Sequence, residues 1–371
     1  ISTIAIPVSH LFCSIRKSIM SNAQISVLPR NTAILTTPSA IELVCPAGSL
    51  PALKAAVDNG ADCVYLGFRD APNARNFAGL NFDDAAIDEG IRYAHARSCK
   101  VLLALNTYPQ PANWPLWRTA IDRAVHAGID AVILADPGLM RYAADTYPDL
   151  RLHLSVQGSA TNYEAINFYQ KHFGIVRAVL PRVLSLVQVE QLQKKTTVEI
   201  EVFGFGSLCV MVEGRCALSS YVTGEAPNTH GVCSPAKAVR WQQTPKGLES
   251  RLNNVLIDVY KDGENASYPT LCKGRFDVSG EQYYAIEEPT SLNTLELLPQ
   301  LLNMGVRAIK IEGRQRSPAY VAQVTRVWRE AIDLCRNNLP RYSVKPAWMN
   351  ELNKVAEGQQ HTLGAYHRAW K

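Results

Sequence analysis

The stretch Ile41-Glu-Leu-Val-Cys-Pro-Ala-Gly-Ser-Leu-Pro-Ala-Leu-Lys-Ala-Ala-Val-Asp-Asn-Gly-Ala-Asp-Cys-Val-Tyr-Leu66 decides the fold. Ile41–Val44 and Cys63–Leu66 are apolar runs of strand length. Between them, Ser49 stands where a helix N-cap accepts backbone N–H groups, and Pro51 falls in the first turn. Gly60 follows the helix, where a left-handed turn suits glycine. The segment is therefore one strand–helix–strand unit, the crossover that parallel strands require.

The same alternation continues outward. Further strands are expected at Val101–Leu105, Ala131–Ala135, Leu152–Val156, Ala178–Leu180, Val198–Val202 and Ala308–Ile311, with helical patterns between them. Successive strand starts are 22, 38, 30, 21, 26, 20 and 110 residues apart. Eight strands alternating with helices predict an α/β fold, a TIM-like (β/α)8 barrel. The last gap holds roughly 70 residues more than a βα unit needs. It marks an insertion between strands seven and eight, at the end of a strand where barrel enzymes place their chemistry. The expected plan is a leader over 1–40, barrel strands one to seven over 41–202, the insertion over 203–292, and the last barrel unit and tail over 293–371.

Composition agrees with this plan. The chain has 371 residues, 47% hydrophobic and 19% charged, which is ordinary globular usage. No apolar run approaches the roughly 18–20 residues of a membrane span. The net charge of +5 is uneven: residues 1–41 hold Arg16, Lys17 and Arg30 and no acid, leaving only +2 for the rest. That small surplus gives little support to a nucleic-acid partner. The leader is expected to be an upstream extension and the protein cytoplasmic. If the leader is a transit peptide, the protein is organellar.

Nine cysteines, an odd number, and no secretory signal argue against a disulfide framework. Cys45, Cys63 and Cys335 lie in apolar patterns and are expected to be core residues. Cys209, Cys216, Cys233 and Cys272 differ: all four fall in the insertion, beside turn formers and polar residues. Clustered thiolates in a reducing compartment point to a metal. Their spacings of six, sixteen and thirty-eight residues match neither a zinc knuckle nor the ferredoxin run. Spacing alone leaves a cluster, zinc and no metal open, although a 4Fe-4S cluster gathering Cys from distant loops fits wide spacing better than a knuckle.

Cys45-Pro-Ala-Gly-Ser-Leu-Pro-Ala-Leu-Lys-Ala-Ala, Ala74-Arg-Asn-Phe-Ala-Gly-Leu-Asn-Phe, Phe203-Gly-Phe-Gly-Ser-Leu-Cys and Gly313-Arg-Gln-Arg-Ser-Pro-Ala-Tyr resemble the collagenase-like peptidase U family. Within it they resemble the UbiU-like ubiquinone-biosynthesis branch, from about Glu42 to the C-terminus. The resemblance implies a 4Fe-4S cluster on Cys209, Cys216, Cys233 and Cys272. It also implies a heterodimer with a UbiV-like partner and oxygen-independent hydroxylation of a ubiquinone precursor, with prephenate as oxygen donor. Related members hydroxylate RNA bases. A peptidase, as the family label says, is the other alternative: H-E-x-x-H, paired His at i, i+4 spacing and G-x-S-x-G are absent from the sequence, while a Cys–His arrangement built from distant residues stays open.

In a barrel, the residues just past each strand line one mouth. Arg75, Arg182 and Arg314 stand there, with Lys310 inside the last strand, accompanied by Asn106, Gln157, Asp136 and Glu312. Several cations beside few acids suit an anionic ligand, and a prephenate-like dicarboxylate would fit. The competing expectation for each is a structural ion pair.

Overall fold

The computed structural model describes residues 41–76, 79–209, 216–227, 232–264 and 266–367. The proposed leader and Cys13 lie outside these residues. The first seven strands are β1 (Glu42–Pro46), β2 (Cys63–Leu66), β3 (Lys100–Leu105), β4 (Ala131–Leu134), β5 (Arg151–Leu154), β6 (Arg177–Val179) and β7 (Glu199–Ser207). Each pairs in parallel with the next. The connecting helices are α1 (Leu50–Asp58), α2 (Asp84–His95), α3 (Trp114–Ala127), α4 (Pro137–Thr146), α5 (Tyr163–Phe173) and α6 (Leu186–Gln193). As expected, Ser49 caps α1, accepting from the Ala52 N–H at 3.4 Å.

After β7 comes α7 (Ala217–Thr223), then a three-stranded antiparallel sheet of β8 (Val239–Thr244), β9 (Gly247–Leu252) and β10 (Val255–Tyr260). A hairpin follows, β11 (Phe276–Val278) with β12 (Glu281–Tyr283). The chain returns at β13 (Ser291–Asn293), which pairs antiparallel with the end of β7. After α8 (Leu298–Asn303), β14 (Ala308–Ile311) pairs in parallel with both β7 and β1. That double pairing closes an eight-stranded parallel barrel, the TIM-like α/β fold. The tail is α9 (Pro318–Asn337), α10 (Pro346–Asn353) and β15 (His361–Thr362), which pairs with β13. The α9 stripe of Tyr320, Val321, Val324, Trp328, Ile332 and Cys335 is buried, as its helical spacing predicts. Among the described residues, no helix is long and apolar enough to cross a membrane.

One strand departs from expectation. β7 runs on to Ser207 instead of stopping at Val202, so residues 203–207, assigned above to the insertion, continue the barrel strand, paired with β14 as far as Phe205 and with β13 to Ser207. The glycines that suggested a loop are required by crowding. A Cβ on Gly204 would stand 2.4 Å from Ile309 and 2.8 Å from Trp328. Gly206 has φ +122°, and a Cβ there would meet Glu312 at 2.6 Å.

The barrel interior is not wholly apolar. Strand alternation directs Val44, Cys63, Tyr65, Leu102, Ala131, Ile133 and Ala308 inward as one cluster. The same faces of the strands carry Glu42, His153, Arg177, Glu201 and Lys310, all buried. Lys100 pairs with Glu42 at 2.8 Å, and Arg177 reaches Glu42 and Glu199, each at 2.6 Å. Arg177 stands 3.5 Å from Glu201, whose other oxygen binds Lys310 at 2.7 Å. Burial would raise the Glu42 carboxyl, but Arg177 and Lys100 outweigh it and hold it down at about 2. Burial and the surrounding cations push His153 well below the usual imidazole range, so it is neutral at pH 7.

Glu201 has no solvent exposure and serves two cations. Glu201→Ala is expected to cost about 3–5 kcal/mol, because it strands the buried Lys310 ammonium and removes one of the three carboxylates around Arg177. The double change Glu201→Met with Lys310→Met should cost less than Glu201→Ala alone. Urea midpoints at unchanged slope measure both. Equal losses for the two proteins would show that the pairing contributes nothing.

Candidate functional site

A single cavity at the C-terminal mouth of the barrel gathers residues from both the barrel and the insertion. Arg75, Arg182, Lys310 and Arg314 line it together with Cys209, Cys216 and Cys233. Tyr65, Asn106, Gln157, Phe203 and Glu312 complete most of the wall. Asp136, expected at the mouth, caps α4 by accepting from the Leu139 N–H at 2.8 Å. Its carboxylate thus serves the helix start, and it is not among the residues that line the cavity.

The cations are held in different ways. Arg314 donates to Asn73 Oδ1 at 2.7 Å, and the Arg75 backbone N–H donates to that same oxygen at 3.0 Å. Asn73 is fully buried and anchored by its amide to the Phe68 carbonyl at 2.9 Å. Its seat exists because residue 67 is glycine; a Cβ there would stand 2.4 Å from the Asn73 side chain. Arg182 donates to the Ser207 carbonyl at 2.6 Å and lies over the Phe203 ring at 4.4 Å. Arg314 and Arg182 thus each donate to a neutral oxygen, which orients the guanidinium. Lys310 is different: Glu201 lies 2.7 Å beneath it and the Tyr65 ring packs at 3.9 Å. Its ammonium is half of an internal ion pair, the competing expectation for this residue.

Burial shapes the electrostatics. It pulls Arg314 down to about 10, with Arg75 acting in the same direction. It would raise Glu312, but Arg75, Arg316 and Arg182 prevail and keep that carboxyl below its usual range. Glu312 therefore stays ionised, accepting from Gln315 at 3.1 Å and from the Ser207 N–H at 3.4 Å. Gln157 is 5% exposed, and its side-chain oxygen has no hydrogen-bond partner among the described residues.

The four insertion cysteines come from four short segments. Cys209 follows β7 by two residues, and Cys216 is the N-cap of α7, its sulfur accepting from the Ser219 N–H at 3.3 Å. The Ser219 hydroxyl donates to the Cys233 carbonyl, tying the second segment to the third. Cys272 sits in a single 3-10 turn, Leu271–Lys273. Burial pushes its thiol up to about 12, and the neighbouring Cys209, Cys233 and Cys216 raise it further against Lys273. The four sulfurs thus share one electrostatic neighbourhood. Among the described residues, no group of three or more His, Cys, Asp or Glu side chains is drawn together closely enough to hold a metal ion. The donor set, four thiols with a backbone N–H already directed at one sulfur, fits an iron–sulfur cluster, which spreads its thiolates more widely than a single ion does. By contrast Cys45, Cys63, Cys99 and Cys335 are buried in the core.

Residue patterns alone missed Glu201 and Asn73. Val198-Glu-Ile-Glu-Val202 alternates, which normally signals a strand with one wet face. In a closed parallel barrel the second face is the interior, so the alternation was a sign of buried charge. Asn73 carried no comparable signal.

The family model for peptidase family U32 matches residues 48–369. The chain is 30% identical over 336 residues to the "tRNA hydroxylation protein P1" of Bacillus subtilis (strain 168), covering 90% of this chain and 72% of that protein. It is 31% identical over 325 residues to the "Collagenase" of Porphyromonas gingivalis, covering 85% and 70% respectively. The solved structure of the U32 peptidase Mk0906 aligns over 76% of this chain and 97% of its own, with TM-score 0.45 and 12% identity. With a family match spanning nearly the whole barrel and its insertion, the chain belongs to peptidase family U32.

Proposed function

We propose that this chain is the iron–sulfur subunit of an oxygen-independent hydroxylase acting on the ring of a ubiquinone precursor, with a UbiV-like partner and prephenate as oxygen donor. The observation that carries the reading is the shared cavity: Cys209, Cys216 and Cys233 open onto the same space as Arg75, Arg182, Lys310 and Arg314. Cys272 joins those thiols electrostatically. The four cysteines would hold a 4Fe-4S cluster, which when bound supplies one-electron redox chemistry beside the substrate.

The chain's own groups have separate tasks. Arg182 and Arg314 present oriented guanidinium forks suited to carboxylates. Among the described lining residues, Arg75, Arg182, Lys310 and Arg314 stand beside Glu312, a set suited to an anionic ligand. The side-chain oxygen of Gln157, unpartnered among the described residues, would accept a hydrogen bond from a ligand hydroxyl. Tyr65 and Phe203 supply flat apolar walls for a ring.

Hydroxylation of an RNA base is a second reading, favoured by the name of the Bacillus subtilis relative. The mouth argues for the smaller substrate, because Arg182 is 9% exposed and Lys310 and Arg314 are each 5% exposed. Recessed cations of this kind form no track along a phosphate backbone. Deleting the gene and growing the cells without oxygen separates the readings. Ubiquinone should be lost while hydroxylated tRNA bases persist on mass spectrometry. Persistence of ubiquinone with loss of the tRNA modification would transfer the assignment to RNA.

Arg182→Ala should weaken prephenate binding about ten- to a hundredfold, the worth of one charged hydrogen bond. A titration of the cluster-loaded variant measures it. Unchanged affinity would remove Arg182 from the site.

A further inference from the structure

We infer that Glu357 is a positioning residue that clasps the Cys272 turn onto the barrel rim and thereby assembles the four-thiol site. The inference rests on reading those thiols as one ligand set. Glu357 lies in the tail, far along the chain from every group it binds. Its Oε2 accepts from Lys273 Nζ at 2.7 Å and from Ser207 Oγ at 2.9 Å. Lys273 is the residue after Cys272, and Ser207 precedes Cys209 by two. The Glu357 backbone N–H donates to Ser291 Oγ at 2.8 Å, at the start of β13. One residue therefore joins the point where the insertion leaves the barrel, the point where it returns, and the turn that carries its last cysteine.

The surroundings make the clasp rigid. Gly358, with φ +61°, presses so close to the chain before β13 that a Cβ would fall 1.8 Å from the Pro289 carbonyl oxygen. The turn that presents Glu357 is thus seated directly on the insertion's exit. Lys273 is 6% exposed, so its ammonium is stable there only while the carboxylate faces it. A three-residue 3-10 turn has little stability of its own. Without Glu357, Lys273 would turn to water and carry Cys272 away from Cys209, Cys216 and Cys233. The bonds from Glu287 N–H to the Cys272 carbonyl and from Arg275 N–H to the Ile257 carbonyl, each 3.1 Å, would keep the flanking chain in place while Cys272 gains exposure. So would the packing of Leu271 on Ala238, Leu252 and Ile257.

The test uses the full-length protein in two states. In the metal-free state, iodoacetamide labelling of each cysteine is followed by peptide mass. Glu357→Ala should speed labelling of Cys272 about ten- to a hundredfold, the worth of one charged hydrogen bond, while Cys63 stays protected. Glu357→Asp should restore much of the protection. In the cluster-loaded state, the alanine variant should show the electron paramagnetic resonance signal of a three-iron cluster, as expected when one ligand detaches. Unchanged Cys272 labelling in a folded Glu357→Ala protein overturns the inference. If Cys63 also becomes reactive, the alanine variant has unfolded, and Glu357→Gln decides by the same criterion. Because labelling needs no cluster, a wild-type protein that binds no iron would defeat the cluster reading and still leave the clasp testable.

Discussion

Everything at the functional end depends on β7 continuing past the barrel rim. A strand that leaves a closed barrel exposes backbone groups on both edges, and these need partners. β14 supplies one set as far as Phe205, and β13 supplies the other from Phe205 to Ser207. Glycines at 204 and 206 permit this double pairing, since side chains there would strike Ile309, Trp328 or Glu312. The consequence is geometric: the insertion departs and returns side by side. Cys209, Cys216 and Cys233 are thereby kept over the mouth instead of on a swinging arm.

The second constraint is charge inside the barrel. Barrel interiors are usually layered with branched apolar side chains. Here Glu42, Arg177, Glu201 and Lys310 form a linked set within them. Such pairs contribute little net stability, yet removing one partner is costly. The set ties the floor of the cavity to the opposite end of the barrel. It also sets a carboxylate, Glu201, directly on Lys310, whereas Arg314 and Arg182 donate to the neutral oxygens of Asn73 and Ser207.

Much of the fold was legible in the chain because parallel strands buried on both faces read as plain apolar runs, as at Val101–Leu105 and Ala131–Leu134. The end of β7 was not legible, because Phe203-Gly-Phe-Gly206 has the composition of a turn while tertiary crowding, not loop chemistry, selects its glycines. Most of the small sheets of the insertion were equally hidden, since β8, β9, β11 and β12 are short and carry few apolar residues. By contrast β10, Val255-Leu-Ile-Asp-Val-Tyr260, is an apolar run of strand length. Among site residues, the cations and cysteines stood out by type and position. Asn73 and Glu357 act only through partners remote in sequence, and no local pattern announces such contacts, whereas the alternation around Glu201 signals a second, interior strand face.

Membership of a peptidase family sits beside a site lined by thiols and recessed cations, in a sequence with neither H-E-x-x-H nor G-x-S-x-G. The account therefore stands on the cluster. The most direct test is the absorbance spectrum of the protein purified without oxygen, with iron and acid-labile sulfide counted per chain. A brown protein carrying about four iron and about four sulfide ions is predicted, with the iron lost when Cys209, Cys216, Cys233 or Cys272 is changed to Ala. A colourless protein that holds zinc and no sulfide would contradict it.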